Sequence, residues 1–188
     1  MKIRSIFPIP IGHDRIETNY QPLLAVTTFE QGNDRLEQTT GDLKDRENWS
    51  NLALDIFKCA RSYAREVGWG SNIEMIQMWC NRMHPLATIH PHSHSNSLFS
   101  CVFYIFDTPA GTRFLRGDGA HNQIQPSNLD YERGFLYDEF TTQPQKGDIV
   151  FFPSHLKHWS MPVDAVRYTV SANFRATQLG DAHHLNLG

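Results

Sequence analysis

From residue 72 onward the apolar residues of this chain recur with a period of two, and that alternation constrains the fold more than any other feature. Side chains at i and i+2 of a strand share one face, so a long run of short alternating segments implies sheets. Candidate strands fall at 73–83, 86–91, 98–106, 112–116, 135–142, 148–152, 157–161 and 166–175. Turn signals separate several of them: Thr108-Pro109-Ala110-Gly111, Gly117-Asp118-Gly119 and Gln143-Pro144-Gln145-Lys146-Gly147. About eight short strands behind a supporting helix point to a mainly β sandwich or jelly-roll barrel. The helix is expected over 48–67, where Leu52, Ile56, Cys59, Ala60 and Tyr63 recur at helical spacing. Ser50 or Asn51 is its expected N-cap and Gly68 its C-terminal stop. Residues 3–9 read as an edge strand, because Pro8 cannot donate to a central ladder. Residues 10–47 read as polar and irregular with weak helical hints, and 117–134 as a long Gly/Asn-rich loop fit to act as a lid.

At 188 residues the expected organisation is a single domain, with an N-terminal strand and helix over 1–70, a barrel core over 71–176 and a tail over 177–188. The net charge of −3 gives no field that would draw the chain to nucleic acid or to an anionic membrane. Its apolar runs fall well short of the about 20 residues a spanning helix needs, and the first residues lack a secretory pattern. Cys59, Cys80 and Cys101 are an odd, widely spaced set with no Cys-x-x-Cys, as expected of reduced thiols. These features together lead us to expect a cytoplasmic location, in a host cytoplasm if the chain is phage-encoded. Oligomeric state is open, and a homo-oligomer is compatible with all of this.

Five histidines carry the chemical signal. Three lie in His90-Pro91-His92-Ser93-His94, and His155 and His158 follow the run Gly147-Asp148-Ile149-Val150-Phe151-Phe152-Pro153. His-x-His in a strand presents two imidazoles side by side, which suits one ion, and a third must come from elsewhere in the fold. Imidazole suits iron, zinc, copper and nickel. A lone histidine is more often a surface or hydrogen-bonded core residue. Parity alone cannot choose between the pairs 90/92 and 92/94, and His155 reads as a turn residue. No partner can be argued for His13, His84, His121, His183 or His184. Asp107, the nearest carboxylate along the strand, reads as a turn residue rather than a ligand.

Downstream, alternation puts Arg167, Thr169, Ser171 and Asn173 on one face and Val166, Tyr168, Val170, Ala172 and Phe174 on the other. Such a polar face can meet solvent. It can equally line a barrel that holds an anion, where an Arg fork with a hydroxyl two residues on suits a carboxylate.

At these residues the chain resembles the 2-oxoglutarate/Fe(II)-dependent oxygenase superfamily, and within it a group from phages and marine bacteria. The resemblance rests on Met78-Trp79-Cys80-Asn81, on His92-Ser93-His94 with Ser100-Cys101-Val102-Phe103-Tyr104, on Phe152-Pro153-Ser154-His155-Leu156-Lys157-His158, and on Arg167 to Phe174. The opening Ile6-Phe7-Pro8-Ile9-Pro10 also matches. The resemblance implies a double-stranded β-helix, the cupin-like jelly-roll barrel. It implies His92, His94 and His158 as ligands of Fe(II), with the register of 100–104 selecting 92/94. It implies Arg167 as partner of the far carboxylate of 2-oxoglutarate, with Thr169, Tyr104 and Asn81 as further co-substrate contacts. The activity implied is oxidation of an unidentified small molecule or side chain by O2.

Two departures stand out. His94 occupies the position where the superfamily most often has a carboxylate, so the ligand set is neutral. Cys101 and Phe103 stand where the group prefers Gly and Tyr. Two other readings compete: a cupin-type three-histidine metalloprotein that does not use 2-oxoglutarate, and a non-catalytic jelly-roll module.

Overall fold

Residues Ser50–Glu66 form α1, a helix with a single apolar stripe: Leu52, Ile56, Ala60, Tyr63 and Ala64 are its buried residues. Trp49 is the N-cap rather than Ser50 or Asn51, and the Ser50 hydroxyl instead donates to the carbonyl of Glu47. At the other end Gly68 adopts φ +81°, a conformation that favours glycine, and donates to Arg65 O while Trp69 donates to Ala64 O. This is the paired C-terminal closure of a Schellman motif. The computed structural model describes residues 8–33, 35–69, 72–109, 111–116 and 139–178.

Eleven strands are described: β1 (Gly12–Arg15), β2 (Gln31–Gly32), β3 (Leu36–Gln38), β4 (Ile73–Met83), β5 (Ile89–His92), β6 (Phe99–Tyr104), β7 (Thr112–Leu115), β8 (Glu139–Thr141), β9 (Asp148–Pro153), β10 (His158–Ser160) and β11 (Arg167–Ala176). They make a seven-stranded sheet in the order β1-β9-β6-β11-β4-β3-β2 and a four-stranded sheet in the order β5-β10-β7-β8. All of these pairings are antiparallel.

Every central strand of the large sheet is two-faced. Its outer face packs on α1: Met78 and Cys80 of β4, Phe99, Cys101 and Phe103 of β6, Ile149 and Phe151 of β9, and Val170, Ala172 and Phe174 of β11 join the α1 stripe in one cluster. Tyr63 stacks on Phe151 with ring centroids 5.3 Å apart, and Phe99 stacks on Phe174 at 4.8 Å. Burial of each such side chain stabilises the fold by about 1.5–3 kcal/mol. The inner face meets the small sheet, where Val150 and Phe152 pack with Tyr104, Phe114 and Leu156.

One irregularity sets which residues of β4 face inward. Asn173 pairs with Gln77, but Phe174 pairs with Met75, so Ile76 is an extra residue in the ladder. The bulge lets Ile73 and Met75 on one side, and Met78 and Cys80 on the other, all join the α1 core. Gln77, Trp79 and Asn81 are thereby turned to the inner face.

The expected segments from 73 onward are largely present, with 73–83 matched end to end. β5 begins at Ile89, later than the expected 86, and Leu86 adopts φ +64° in the preceding turn. The 10–47 region is more ordered than expected. It holds β1, β2, β3 and three 3-10 turns. Its strands are two to four residues long, β1 and β2 mostly exposed and β3 half-buried throughout, so they carry no readable alternation. Of the expected strand at 3–9, Pro8 and Ile9 lie outside any strand and the remainder lies outside the described residues. The expected lid, 117–134, also lies outside them, as does most of the tail. No helix among the described residues is long and apolar enough to cross a membrane.

Candidate metal centre

His92 ends β5 and His158 opens β10, and the two strands pair so that these residues sit directly opposite each other. His94 follows β5 and is tied down by its backbone N–H, which donates to Ser154 O at 2.9 Å. The three rings converge: one nitrogen from each lies within 4.8 Å of the others. The Nε2 atoms of His94 and His158 are 3.2 Å apart. Two nitrogens each about 2.1 Å from one ion and at a right angle to one another would stand about 3 Å apart, so the spacing suits adjacent ligand positions.

The hydrogen bonds behind the rings fix their tautomers. His92 Nδ1 lies 2.9 Å from His90 O, and His158 Nδ1 lies 2.9 Å from Leu156 O. A carbonyl only accepts, so each Nδ1 carries the proton and each Nε2 keeps its lone pair free for an ion. Electrostatics act the same way. Burial, then the nearby His92, lowers the pKa of His94 to about 4. Burial lowers that of His158 to about 3, with His92 and His94 adding to the effect and the Leu156 carbonyl opposing it. Both rings are therefore neutral near pH 7, the state a metal ligand requires. The donor set fits a divalent transition ion with three positions of its coordination sphere left over.

The other histidines are placed elsewhere. His90 is exposed and contributes its carbonyl, His155 is exposed in the turn, and His84 lies 2.6 Å from Glu37 Oε2. Asp107 accepts from the backbone of Lys146, as a turn residue does.

Behind the rings runs a polar interior. Arg167, Thr169, Ser171 and Asn173 are all buried, with Arg167 4% exposed. The polar face of β11 thus looks into the barrel, not to solvent. Its other face is covered by α1, so both faces of the strand are buried. Burial pushes the Arg167 guanidinium below its ordinary pKa, and the neighbouring Tyr104 opposes that. Arg167 Nη2 lies 2.7 Å from Met83 Sδ, and a thioether is a weak acceptor.

Thr169 pairs in register with Tyr104 of β6 and Asn81 of β4, so the expected co-substrate residues do meet at one level of the sheet. All three are already engaged. Tyr104 Oη is 2.7 Å from Thr112 Oγ1, and Asn81 donates to Thr169 and Ser171 while accepting from Gln38 at 2.6 Å. Cys101 and Phe103, the departures on β6, point into the α1 core and away from this interior.

A cleft of about 330 Å³ opens beside the rings, lined by Gln31, Gln38, Gln77, Trp79 and Asn173 together with His92 and His94. Sequence reading missed its glutamines. The alternation Gln77-Trp79-Asn81 was the available signal, and the bulge at Ile76 hid which face it belonged to.

A family profile described as "Putative 2OG-Fe(II) oxygenase" matches residues 77–174, just over half of the chain. No curated protein matches the chain. Among solved structures, HygX from Streptomyces hygroscopicus with nickel, 2-oxoglutarate and hygromycin B bound is similar at TM-score 0.66 and 12% identity, over 90% of this chain and 84% of that one. The non-heme α-ketoglutarate-dependent epimerase SnoN from nogalamycin biosynthesis is similar at TM-score 0.65 and 14% identity, over 89% and 77%. A Pseudomonas putida prolyl-4-hydroxylase is similar at TM-score 0.57 and 14% identity, over 90% and 94%. Likeness at such identities establishes the shared jelly-roll fold, while the profile match establishes kinship: this chain belongs to the family of 2-oxoglutarate- and Fe(II)-dependent oxygenases.

Proposed function

We propose that His92, His94 and His158 hold the Fe(II) of this oxygenase, and that Arg167 with Thr169 receives the far carboxylate of 2-oxoglutarate. The observation that carries this reading is the convergence of three imidazoles, two of them held neutral by burial, in a fold whose β11 turns a buried arginine and three buried polar residues to its inner face. A guanidinium held out of water is stabilised by an anion, and a charge-assisted fork suits a carboxylate. Asn81 and Tyr104 act as positioning residues: their hydrogen bonds to Thr169, Ser171 and Thr112 hold the walls of that interior in place. The carbonyls of His90 and Leu156 orient the His92 and His158 rings. Residues 1–188 act as one jelly-roll domain.

Iron with 2-oxoglutarate, when bound, supplies the O2 chemistry; the protein supplies orientation and a site shielded from bulk water. The apolar rings of Phe152 and Phe114, with centroids 4.5 and 6.1 Å from that of His158, back the site on the side of the small sheet. A three-histidine set carries no charge, so the charge of a divalent ion held there would be offset by an anionic co-substrate.

The test is anaerobic addition of Fe(II) and 2-oxoglutarate, watched for the weak visible metal-to-ligand charge-transfer band. A band that needs both components and is weakened in Arg167→Ala supports the assignment. Metal binding without a band would favour a three-histidine site that does not take 2-oxoglutarate. No metal binding would remove the ligand assignment altogether.

A further inference from the structure

We propose that the cleft beside the histidines takes a neutral, hydroxyl-rich substrate, a free mono- or disaccharide. This rests on the reading of His92, His94 and His158 as the metal ligands only for the chemistry, and not for the binding.

The argument starts from what lines the cleft. Among the described residues it has no Lys, Arg, Asp or Glu. Its side-chain walls are carboxamides, the His92 and His94 imidazoles and one indole; the Thr39 hydroxyl is already engaged, donating to Thr40 O and accepting from Cys80 N–H. Apart from an ion held by His92 and His94, whose charge 2-oxoglutarate would offset, a charged ligand would lose hydration there without meeting an opposite side-chain charge, so the walls favour neither phosphate esters nor carboxylates. A purely apolar ligand would strip water from the amides with nothing in return.

The carboxamides are presented in complementary senses. Gln77 accepts from Asn173 Nδ2 through its Oε1 at 3.1 Å, which leaves its N–H pair as the donor end of the amide. Gln38 donates to Asn81 through its Nε2 at 2.6 Å, which leaves its Oε1 as an acceptor. Asn173 is itself fixed from behind, where Ser100 donates to its Oδ1 at 2.8 Å. One wall therefore donates and the other accepts. A hydroxyl does both, so neighbouring hydroxyls on one ring satisfy both walls at once.

Between the two glutamines stands Trp79, half-buried, two residues from Gln77 and so on the same face of β4. Its indole gives the C–H face of a sugar ring a surface to pack on, and it is 5.7 Å from the His94 ring, which places that packing site beside the proposed metal. A peptide strand is the less suitable occupant. β4 and β11 form the floor and are hydrogen-bonded on both sides, and the edge strands beside the cleft, two-residue β2 and four-residue β5 with Pro91 in it, offer little main-chain edge for strand addition. The volume of about 330 Å³ suits a compact ligand. With the family chemistry, one C–H of the sugar, O2 and 2-oxoglutarate would give C–OH, succinate and CO2, one oxygen atom entering the hydroxyl and the other succinate.

The test is titration of the protein, with and without Zn(II) and 2-oxoglutarate, using neutral mono- and disaccharides, glucose 6-phosphate, glucuronate and a proline-containing tetrapeptide. Tryptophan fluorescence is the readout. Support is a saturable change with at least one neutral saccharide that is lost in Trp79→Phe. Gln77→Leu should raise its half-saturating concentration by roughly five- to ten-fold, as loss of a neutral hydrogen bond does. Tighter binding of the charged sugars, binding of the peptide alone, or no signal from any neutral saccharide would overturn the proposal. The Fe(II)/2-oxoglutarate band on the same protein separates the two readings. A band without a saccharide signal ends the substrate inference alone; a saccharide signal without a band ends the 2-oxoglutarate assignment, and without bound metal it ends the ligand assignment, leaving the binding inference in place.

Discussion

His94 Nε2 and His158 Nε2 face each other at 3.2 Å across a separation of 64 residues. Nothing local brings them there. The turn after β9 returns the chain so that Ser154 O captures His94 N–H, and the pairing of β5 with β10 sets His92 opposite His158. The site is a property of strand pairing, so each ligand can be tested separately.

Replacing His158 or His92 with Ala should abolish stoichiometric Fe(II) binding, because two imidazoles do not define a face of the coordination sphere. His94→Asp should retain binding, since a short carboxylate restores the commoner ligand set and adds a negative charge. Anaerobic competition against a coloured chelator measures both. Full iron binding by His158→Ala would refute its assignment.

Arg167→Ala should leave iron bound and raise the 2-oxoglutarate concentration needed for half-maximal turnover by roughly ten- to a hundred-fold, the size of a lost charge-assisted hydrogen bond. Succinate release against co-substrate concentration reads this directly. Unchanged dependence would remove Arg167 from the co-substrate site.

Metal should act as a folding ligand. Free metal at about 100 times Kd stabilises a native site by about 2.7 kcal/mol, so chelator should lower the Tm of the wild type. The same chelator should leave the Tm of His158→Ala where it was. Differential scanning fluorimetry of the two proteins in parallel would show it, and an equal shift in both would contradict the assignment.

Ile56 is fully buried between α1 and the outer face of the large sheet. Ile56→Ala should cost about 2–5 kcal/mol, the usual range for such a truncation. Urea denaturation measures the loss, which should come without any change in metal stoichiometry of the folded fraction.

Glu37 supplies an acid-sensitive tie. Its carboxylate engages Arg82 and His84, and these hydrogen bonds, Arg82 first, lower its pKa from 4.5 to about 2. A lowered folded pKa means that the contribution is complete above about pH 4.5 and fades as pH falls toward 2. It pins β3 to β4, with the Phe29 ring 4.4 Å from the Arg82 guanidinium carbon. In Glu37→Gln the loss of stability between those pH values should be shallower than in wild type, by thermal melts at stepped pH. Parallel curves would show that the pair contributes nothing.

What the sequence determined by itself was periodicity and chemistry. Alternation over 166–175 separates Arg167, Thr169, Ser171 and Asn173 from the apolar set, and the i, i+4 stripe of α1 is readable without any structure. Both follow from local geometry: a period of two or 3.6 puts like residues on one face wherever the strand or helix ends up. The histidine cluster was legible for the same reason, as residue types at close spacing.

Tertiary structure decided which way those faces look. The polar face of β11 is interior because α1 covers the opposite face and the small sheet closes over the inner one, and no single strand encodes that. It brought His94, and not His90, beside His92 and His158, with Ser154, a partner far along the chain, holding the His94 backbone. The bulge at Ile76 changed the phase of β4 midway and turned Gln77 and Trp79 into the cleft. It also recruited β2 and β3, whose few residues carry no pattern, to bring Gln31 and Gln38 beside them. These placements depend on long-range pairing, where the free energy lies in contacts between segments and not in the propensities of any one of them.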